Sequence, residues 1–467
     1  MANPCAILVD DDPQQLAEAS STIADAGYEL ITFESVEKAL GFVEETDQLI
    51  DLFVLDRKLP MRAGENAVDE LGDELFRIVT STHPDSRVIV FSGYTDFDHA
   101  QETMEGAGFV FQKGDVRIDR VSVLRKSQFD KFERLIKDLR EVIAGFDVIE
   151  VTVNGAIDAR QKRILRRIAH HYGASAISAK PLAGGLTGAP VWRCELVSPS
   201  GPIADVVAKV GEAIPAAGGL QDLLAKEAIA RRVDVIGGLM GGSIVAILQL
   251  AGTSPISLMR LIGSHDMEAA RITEVLRTSL DALEQTPART VPLRDIVGQI
   301  ITWENFVHEL SALGLSAPTP ELWVTTSSVM SHTDLHAANV LVCDDLPVII
   351  DSDENEFSSS LRDPVVLMMS SWVHPDSPFH GADWPSVDDI SERFGEASFA
   401  RGSLSPAWYA TILSWMDSRR ASAREYWSVV LAYGVRQLRF KNVRTNPDLK
   451  ARVEALVSLA HRRLEET

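Results

Sequence analysis

The chain has 467 residues, 67 acidic against 45 basic for a formal charge of −22, and three cysteines. At roughly 100–200 residues per domain it should hold two to four domains, and 45% hydrophobic with 24% charged residues is the make-up of a globular protein. The acidity argues against nucleic acid or an anionic membrane surface as the main partner, and the scattered Cys5, Cys194 and Cys343 suit neither a disulfide framework nor a structural zinc site.

No basic region followed by an apolar stretch opens the chain, so no secretory signal is expected. The longest apolar run, Val235 to Leu248, spans 14 residues with four glycines. A membrane span needs ~20 residues, so the expectation is a cytoplasmic protein without membrane insertion. Residues 1–125 hold 25 acidic and 10 basic residues, a net charge of −15. This concentration marks a first module distinct from the rest.

In that module the short apolar runs Cys5–Val9, Leu52–Leu55, Val88–Phe91 and Phe109–Phe111, with Glu29–Phe33, read as strands. Gln14–Ala26, Val36–Glu45, Asn66–Thr80 and Asp98–Gly106 between them read as amphipathic helices. Such alternation predicts a five-stranded parallel sheet covered on both faces, with ligands at the carboxyl ends of the strands. Asp10, Asp11 and Asp12 follow the first strand, Asp56 the third, Ser92 the fourth and Lys113 the fifth. Converging carboxylates need a cation, and hard oxygen donors suit Mg²⁺. An aspartate beside that metal, with a hydroxyl and an ammonium nearby, is what acyl-phosphate formation requires. The alternative is that these acids only cap strand ends.

VDDDP at 9–13, LDRKLP at 55–60, FSG at 91–93 and QKG at 112–114 together resemble the receiver domain of bacterial two-component response regulators, over residues 4–120. The resemblance implies a flavodoxin-like fold in which Asp10, Asp11 and Asp56 hold Mg²⁺. It makes Asp56 the phospho-acceptor, Ser92 and Lys113 the switch residues, and a sensor histidine kinase or phosphotransfer protein the partner. Two departures stand out: Gly114 replaces the usual proline, and Val110 occupies the position that is often an aromatic switch.

Residues 126–150 read as a helical linker, with Phe129, Phe132, Leu135, Ile136, Leu139 and Val142 at helical spacing. It would close the first module, pair two protomers as a homodimer, or transmit a signal. A basic helix over Asp158–Tyr172 follows, whose charged side reads as a solvated face.

The second module, 151–467, is expected to be α+β and bilobal, with an N-lobe over about 151–250 and a C-lobe over about 251–467. Its informative segment is Val329–Asp351, where His332-x-Asp334-x-His336-x-x-Asn339 precedes a strand, a turn at Asp344–Pro347, a second strand and Asp351. Phosphoryl transfer needs a carboxylate to orient or deprotonate the acceptor hydroxyl, and oxygen ligands for the metal at the phosphates. Asp334 can supply the first, Asn339 and Asp351 the second. A zinc site on His332, Asp334 and His336 is the rival reading.

This pattern resembles the catalytic loop of the aminoglycoside phosphotransferase and choline kinase-like family. The resemblance implies ATP and Mg²⁺ as cofactors and a bracing role for His332. It places ATP at Gly184, Gly185 and Gly188 of a glycine-rich turn, at Lys209 on a strand, and at Glu227 on a helix over LLAKEAIARR. It also makes Ile244–Leu250 a hinge strand and Asp363 a bracing residue. The sequence thus points to a response regulator with a kinase output, phosphorylating a hydroxyl of an unknown small molecule. A non-catalytic nucleotide-binding scaffold and a protein kinase are the alternatives. Asp376, Asp383, Asp388, Asp389 and Glu392 are either an acidic acceptor pocket or a solvated loop, and Trp384, Trp408, Trp415 and Trp427 read as core.

Overall fold

The structure is a computed structural model describing residues 3–93, 110–113, 116–182, 190–211, 218–238, 243–252, 255–352 and 354–467. The chain divides into two compact units, Met1–Ile214 with Arg232–Gln249, and Pro215–Arg231 with Leu250–Thr467. The division falls within the second module rather than at its start.

The first unit opens with strand β1 (Cys5–Val9), helix α1 (Pro13–Asp25), β2 (Glu29–Phe33), α2 (Val36–Glu45), β3 (Ile50–Leu55), α3 (Asp69–Thr82) and β4 (Arg87–Ser92). The four strands pair in parallel, and every residue of β1, β3 and β4 is buried. Side chains alternate across the sheet: Cys5, Ile7, Val9, Phe53 and Val90 pack on one face, Ala6, Leu8, Leu52, Val54 and Phe91 on the other. The expected helix over Asp98–Gly106 lies outside the described residues.

The fifth strand differs from the sequence reading. Strand β5 (Val110–Lys113) turns back on β6 (Val116–Asp119) as an antiparallel hairpin, and the sheet is completed by β7 (Val121–Arg125), parallel to β4 with Val88 opposite Val121. The order is β2-β1-β3-β4-β7. Val123 and Leu124 are buried on opposite faces of the sheet, completing both cores.

The helix Phe129–Asp147, expected as a linker, closes the sheet. Phe132, Ile136, Leu139, Ile143 and Phe146 are buried against the Ala6, Leu8 and Phe91 face, and Phe132 stacks on Phe91 at 4.4 Å between ring centroids. Burial of such a face contributes about 1.5–3 kcal/mol for each large apolar side chain, so the helix is integral to this domain.

Strand β8 (Glu150–Val153) follows directly and leads into the helix Ala159–His171, which Asp158 caps through the Gln161 amide at 2.7 Å. Its Ile164, Leu165 and Ile168 pack on a six-stranded sheet, order β12-β13-β11-β10-β9-β8. The remaining strands are β9 (Ala176–Pro181), β10 (Val191–Ser198), β11 (Gly201–Gly211), β12 (Arg232–Ile236) and β13 (Ile244–Gln249). The polar side of Ala159–His171 is not simply solvated. Arg163 reaches the buried Asp51 carboxylate at 2.6 Å, and Arg166 meets Asp147 at 2.6 Å. The sheet is thereby tied to the first domain.

The second unit is mainly helical around one large core. Trp408 and Trp415 are fully buried there, Trp384 nearly so, and the partly buried Trp427 packs against that core. The tryptophans belong to the core, as expected.

Candidate functional site

Two polar constellations stand out, one in each unit. In the first, the sheet delivers its acids to one edge. Asp10 follows β1 and donates its amide to the Phe33 carbonyl at 3.1 Å, and Asp56 follows β3 and donates to the Val9 carbonyl at 2.9 Å. Neighbouring parallel strands thus end in register and present both carboxylates side by side. Asp12 is drawn off to cap α1, accepting from the Gln14 amide at 2.8 Å. Asp10, Asp11 and Asp56 offer carboxylate oxygens within 4.8 Å of one another.

The ammonium at this cluster belongs to Lys126. Its Nζ lies 2.7 Å from Asp10 Oδ2 and 2.6 Å from Asp56 Oδ2, and its side chain is only 15% exposed. Lys113 instead ends the hairpin strand β5, opposite Val116. The correction follows from pairing: β7, not β5, lies beside β4, so the residue just after β7 arrives at the carboxylates. Burial pushes Asp10 up to about 6 against the opposing pull of Lys126, and burial also raises Asp11. Burial alone would lower Lys126, but its bonds to Asp10 and Asp56 outweigh this and raise it. Ser92, at the end of β4, is buried with no hydrogen-bond partner for its hydroxyl among the described residues. The edge therefore combines clustered oxygen donors, a cation and an unspent hydroxyl.

In the second unit, the strand Ser328–Ser331 runs into the segment His332–His336 and a short 3₁₀ turn, Ala337–Asn339. The hairpin strands Val340–Cys343 and Leu346–Ile349 follow, joined by Asp344 and Asp345, whose φ values of 48° and 64° suit a tight two-residue turn. The buried Asp363 accepts from the His332 amide at 3.0 Å and the Thr333 amide at 3.2 Å, holding Thr333 at φ 71°. Burial raises the Asp363 carboxyl. His332 Nε2 bonds the Ile350 carbonyl at 2.9 Å, Asn339 Nδ2 donates to the Asp334 carbonyl at 3.1 Å, and the Ile350 amide donates to the Asn339 carbonyl at 2.9 Å. These bonds tie the segment bearing Asp334 to the strand that leads to Asp351, which itself has φ 59°.

Asp334 is left presented, its side chain 48% exposed, with His336 Nε2 at 3.8 Å and Arg436 Nη1 at 4.0 Å. Burial lowers His336 to about 4. The zinc reading gains no support, because His332 is spent on Ile350 and the three side chains form no ligand cluster among the described residues.

Of the remaining sequence candidates, Lys209 lies on β11, opposite Val191 and Ala246. Gly184, Gly185 and Gly188 lie outside the described residues. Glu227 is not helical. The helix there is the single turn Leu220–Leu223, and Glu227 sits in an exposed turn 3.7 Å from Lys226. The physical reason lies just downstream: Ala230 donates to the Ile349 carbonyl and Ile349 to the Ala228 carbonyl, both at 2.8 Å, so these groups serve a bridge instead of a helix. Asp389 is held by Ser386 and Arg393, while Asp376, Asp383, Asp388 and Glu392 are exposed. Sequence reasoning missed Lys126, though it follows an apolar β-rich run, and missed Arg436, which carries no local signal.

Residues 6–113 match the family model of the response regulator receiver domain, which stops short of the strand that leads to Lys126. No curated protein matches the chain. A receiver domain protein from Clostridium thermocellum is 20% identical, covering 30% of this chain and 97% of its own, with a TM-score of 0.23. Response regulator TrrA from Thermotoga maritima, solved with Mg²⁺-BeF, is 22% identical over 29% and 98%, TM-score 0.22. Aminoglycoside phosphotransferase APH(4)-Ia, solved with ADP and hygromycin B, is 12% identical over 63% and 97%, TM-score 0.38. The family match is thus confined to the first module.

Proposed function

We propose that the chain is a two-component response regulator whose output is an ATP- and Mg²⁺-dependent phosphotransferase. It acts on a hydroxyl of a small molecule and is gated by phosphorylation of Asp56. The observation that carries this reading is the braced segment from His332 to Asp351, which presents Asp334 as an open carboxylate. Asp334 orients the acceptor hydroxyl and accepts its proton, while Lys209 supplies positive charge for the phosphates of ATP. Asn339 and Asp351 are the oxygen donors that would hold Mg²⁺ there.

In the receiver, Asp10, Asp11 and Asp56 offer the hard oxygen donors that fit Mg²⁺. Bound there, the ion would neutralise the incoming phosphoryl charge. Asp56 is the nucleophile toward a histidine kinase or phosphotransfer protein, Lys126 screens the growing negative charge, and Ser92 donates its free hydroxyl to the product. Among the described residues no helix is long and apolar enough to cross a membrane, which supports a cytoplasmic place.

A second reading is favoured by one observation: Glu227 lies in an exposed turn, not on a helix as a brace for Lys209. On this reading the kinase-like domain binds nucleotide and signals without turnover. Labelled ATP with Mg²⁺ and a broad acceptor panel separates the two. Phosphate transfer lost in Asp334→Ala and persisting in Asp56→Ala supports the enzyme, whereas nucleotide binding without transfer under either receiver state supports the scaffold. Gating fails if beryllofluoride leaves both the transfer rate and the oligomeric state unchanged.

A further inference from the structure

The residues around Asp334 carry information about the acceptor. Arg436 sits near the end of the helix Ala423–Gln437, with Nη1 4.0 Å from Asp334 Oδ1, its guanidinium 5.7 Å from the Phe440 ring centroid, and its side chain 29% exposed. Other arginines of this unit spend their donors on structure: Arg419 bonds Asp281 at 2.6 Å and the Leu280 carbonyl at 2.7 Å, and Arg362 bonds Glu356. Arg436 makes no side-chain hydrogen bond among the described residues. A guanidinium with five donors, steadied against a ring and open to solvent beside a reacting carboxylate, is a fork for an anionic oxygen group.

The neighbours leave that role open. His336 and His374 stack at 4.6 Å between ring centroids, and burial lowers both, so they are neutral near pH 7 and do not compete for an anion. Asp376 lies 3.9 Å from His374 Nδ1 and is highly exposed, and Asp351 also acts on His336. An amine brought to Asp334 would meet Arg436 at once, a like-charge encounter.

We propose that Arg436 determines specificity by binding an anionic group of the acceptor, so that the substrate class is a small hydroxylated carboxylate or phosphate rather than an amine. The inference rests on the phosphotransferase reading. In the transfer, the acceptor hydroxyl gives its proton to Asp334 and its oxygen bonds the terminal phosphorus of ATP. The bond from that phosphorus to the bridging oxygen breaks, and ADP leaves. Arg436 touches only the acceptor's anionic group.

The test uses the full chain and four compounds that share a 1,2-diol: glycerate, glycerol 3-phosphate, glycerol and 3-amino-1,2-propanediol. One of the two anions should exceed glycerol by about tenfold or more in kcat/KM, chiefly through KM, as a charged hydrogen bond allows. Which anion wins identifies the group as carboxylate or phosphate. In Arg436→Gln the ratio should fall to near one, and in Arg436→Lys part of it should return. A preference for the amine, or a ratio unchanged in Arg436→Gln while kcat falls equally for all four, overturns the proposal. Calorimetric binding of the same compounds, with a non-hydrolysable ATP analogue and Mg²⁺ present, separates the two readings. Anion binding lost in Arg436→Gln without any turnover sinks the enzyme but supports the anion site. Equal binding of anions and glycerol overturns the anion site itself.

Discussion

Replacing Lys126 with methionine tests the carboxylate cluster most directly, because it removes the only ammonium that bridges Asp10 and Asp56 among the described residues. Both carboxylates are nearly buried and lie 2.7 and 2.6 Å from Nζ. Breaking a buried pair from one side costs about 3–5 kcal/mol, since the stranded charge keeps its desolvation penalty. The cost depends on pH. With Lys126 present, Asp10 is already raised from 3.8 to about 6, so its ionisation costs the fold about 3 kcal/mol at roughly 1.4 kcal/mol per pH unit. An acid raised in the folded state favours folding below its unfolded pKa, and that advantage is lost as pH climbs through the folded one. Without Lys126 the folded value rises further, so the variant should lose about 3 kcal/mol or more at pH 8 and less than half of that at pH 5. Amide hydrogen exchange of β1 and β3 in the full chain reads this, with Lys113→Met as the control that stays near wild type. Unchanged protection in Lys126→Met at pH 8, a loss as large at pH 5, or the same loss in Lys113→Met would refute the reasoning.

Three further outcomes follow from described contacts. Ser92→Ala removes a buried hydroxyl without a partner, so stability should hold or rise by up to about 1 kcal/mol, while beryllofluoride affinity, read by titration, falls. Arg163→Met strands Asp51, which burial already raises, and should cost about 3–5 kcal/mol in denaturant melts at pH 8 and less at pH 5. Adding Asp51→Asn should recover at least half of the loss, and additive effects would deny the pair. Asp363→Ala leaves the His332 and Thr333 amides without an acceptor, so a loss of about 2–3 kcal/mol is expected in thermal melts, together with slower phosphate transfer.

What could be read without coordinates was whatever local sequence controls. The apolar runs of β1, β3 and β4 carry their own signal, and each places its polar residue one step beyond its end, so Asp10, Asp56 and Ser92 could be located from spacing alone. The choice between Lys113 and Lys126 could not. Both end short β-rich runs, and only the long-range pairing of Val88 with Val121 decides which one reaches the edge. Glu227 failed for a related reason: a helical pattern yields when a distant strand, here at Ile349, takes over its backbone groups. The order of residues from His332 to Asp351 was legible, whereas the approach of Arg436 depends on helix packing a hundred residues away.

Strand β3 carries Asp51 at one end and leads into Asp56 at the other, five residues or about 17 Å apart at strand rise. It is the middle strand of the sheet, hydrogen-bonded to β1 and β4 along both edges. Axial sliding would break both ladders at once and, at one residue of slip, turn every side chain to the wrong face. β3 is thus a fixed rod with Asp56 at its head and the anchor of Arg163 at its foot. A change at Asp56 must therefore leave through the helices and loops around the rod, while its foot keeps the next module's helix Ala159–His171 moored.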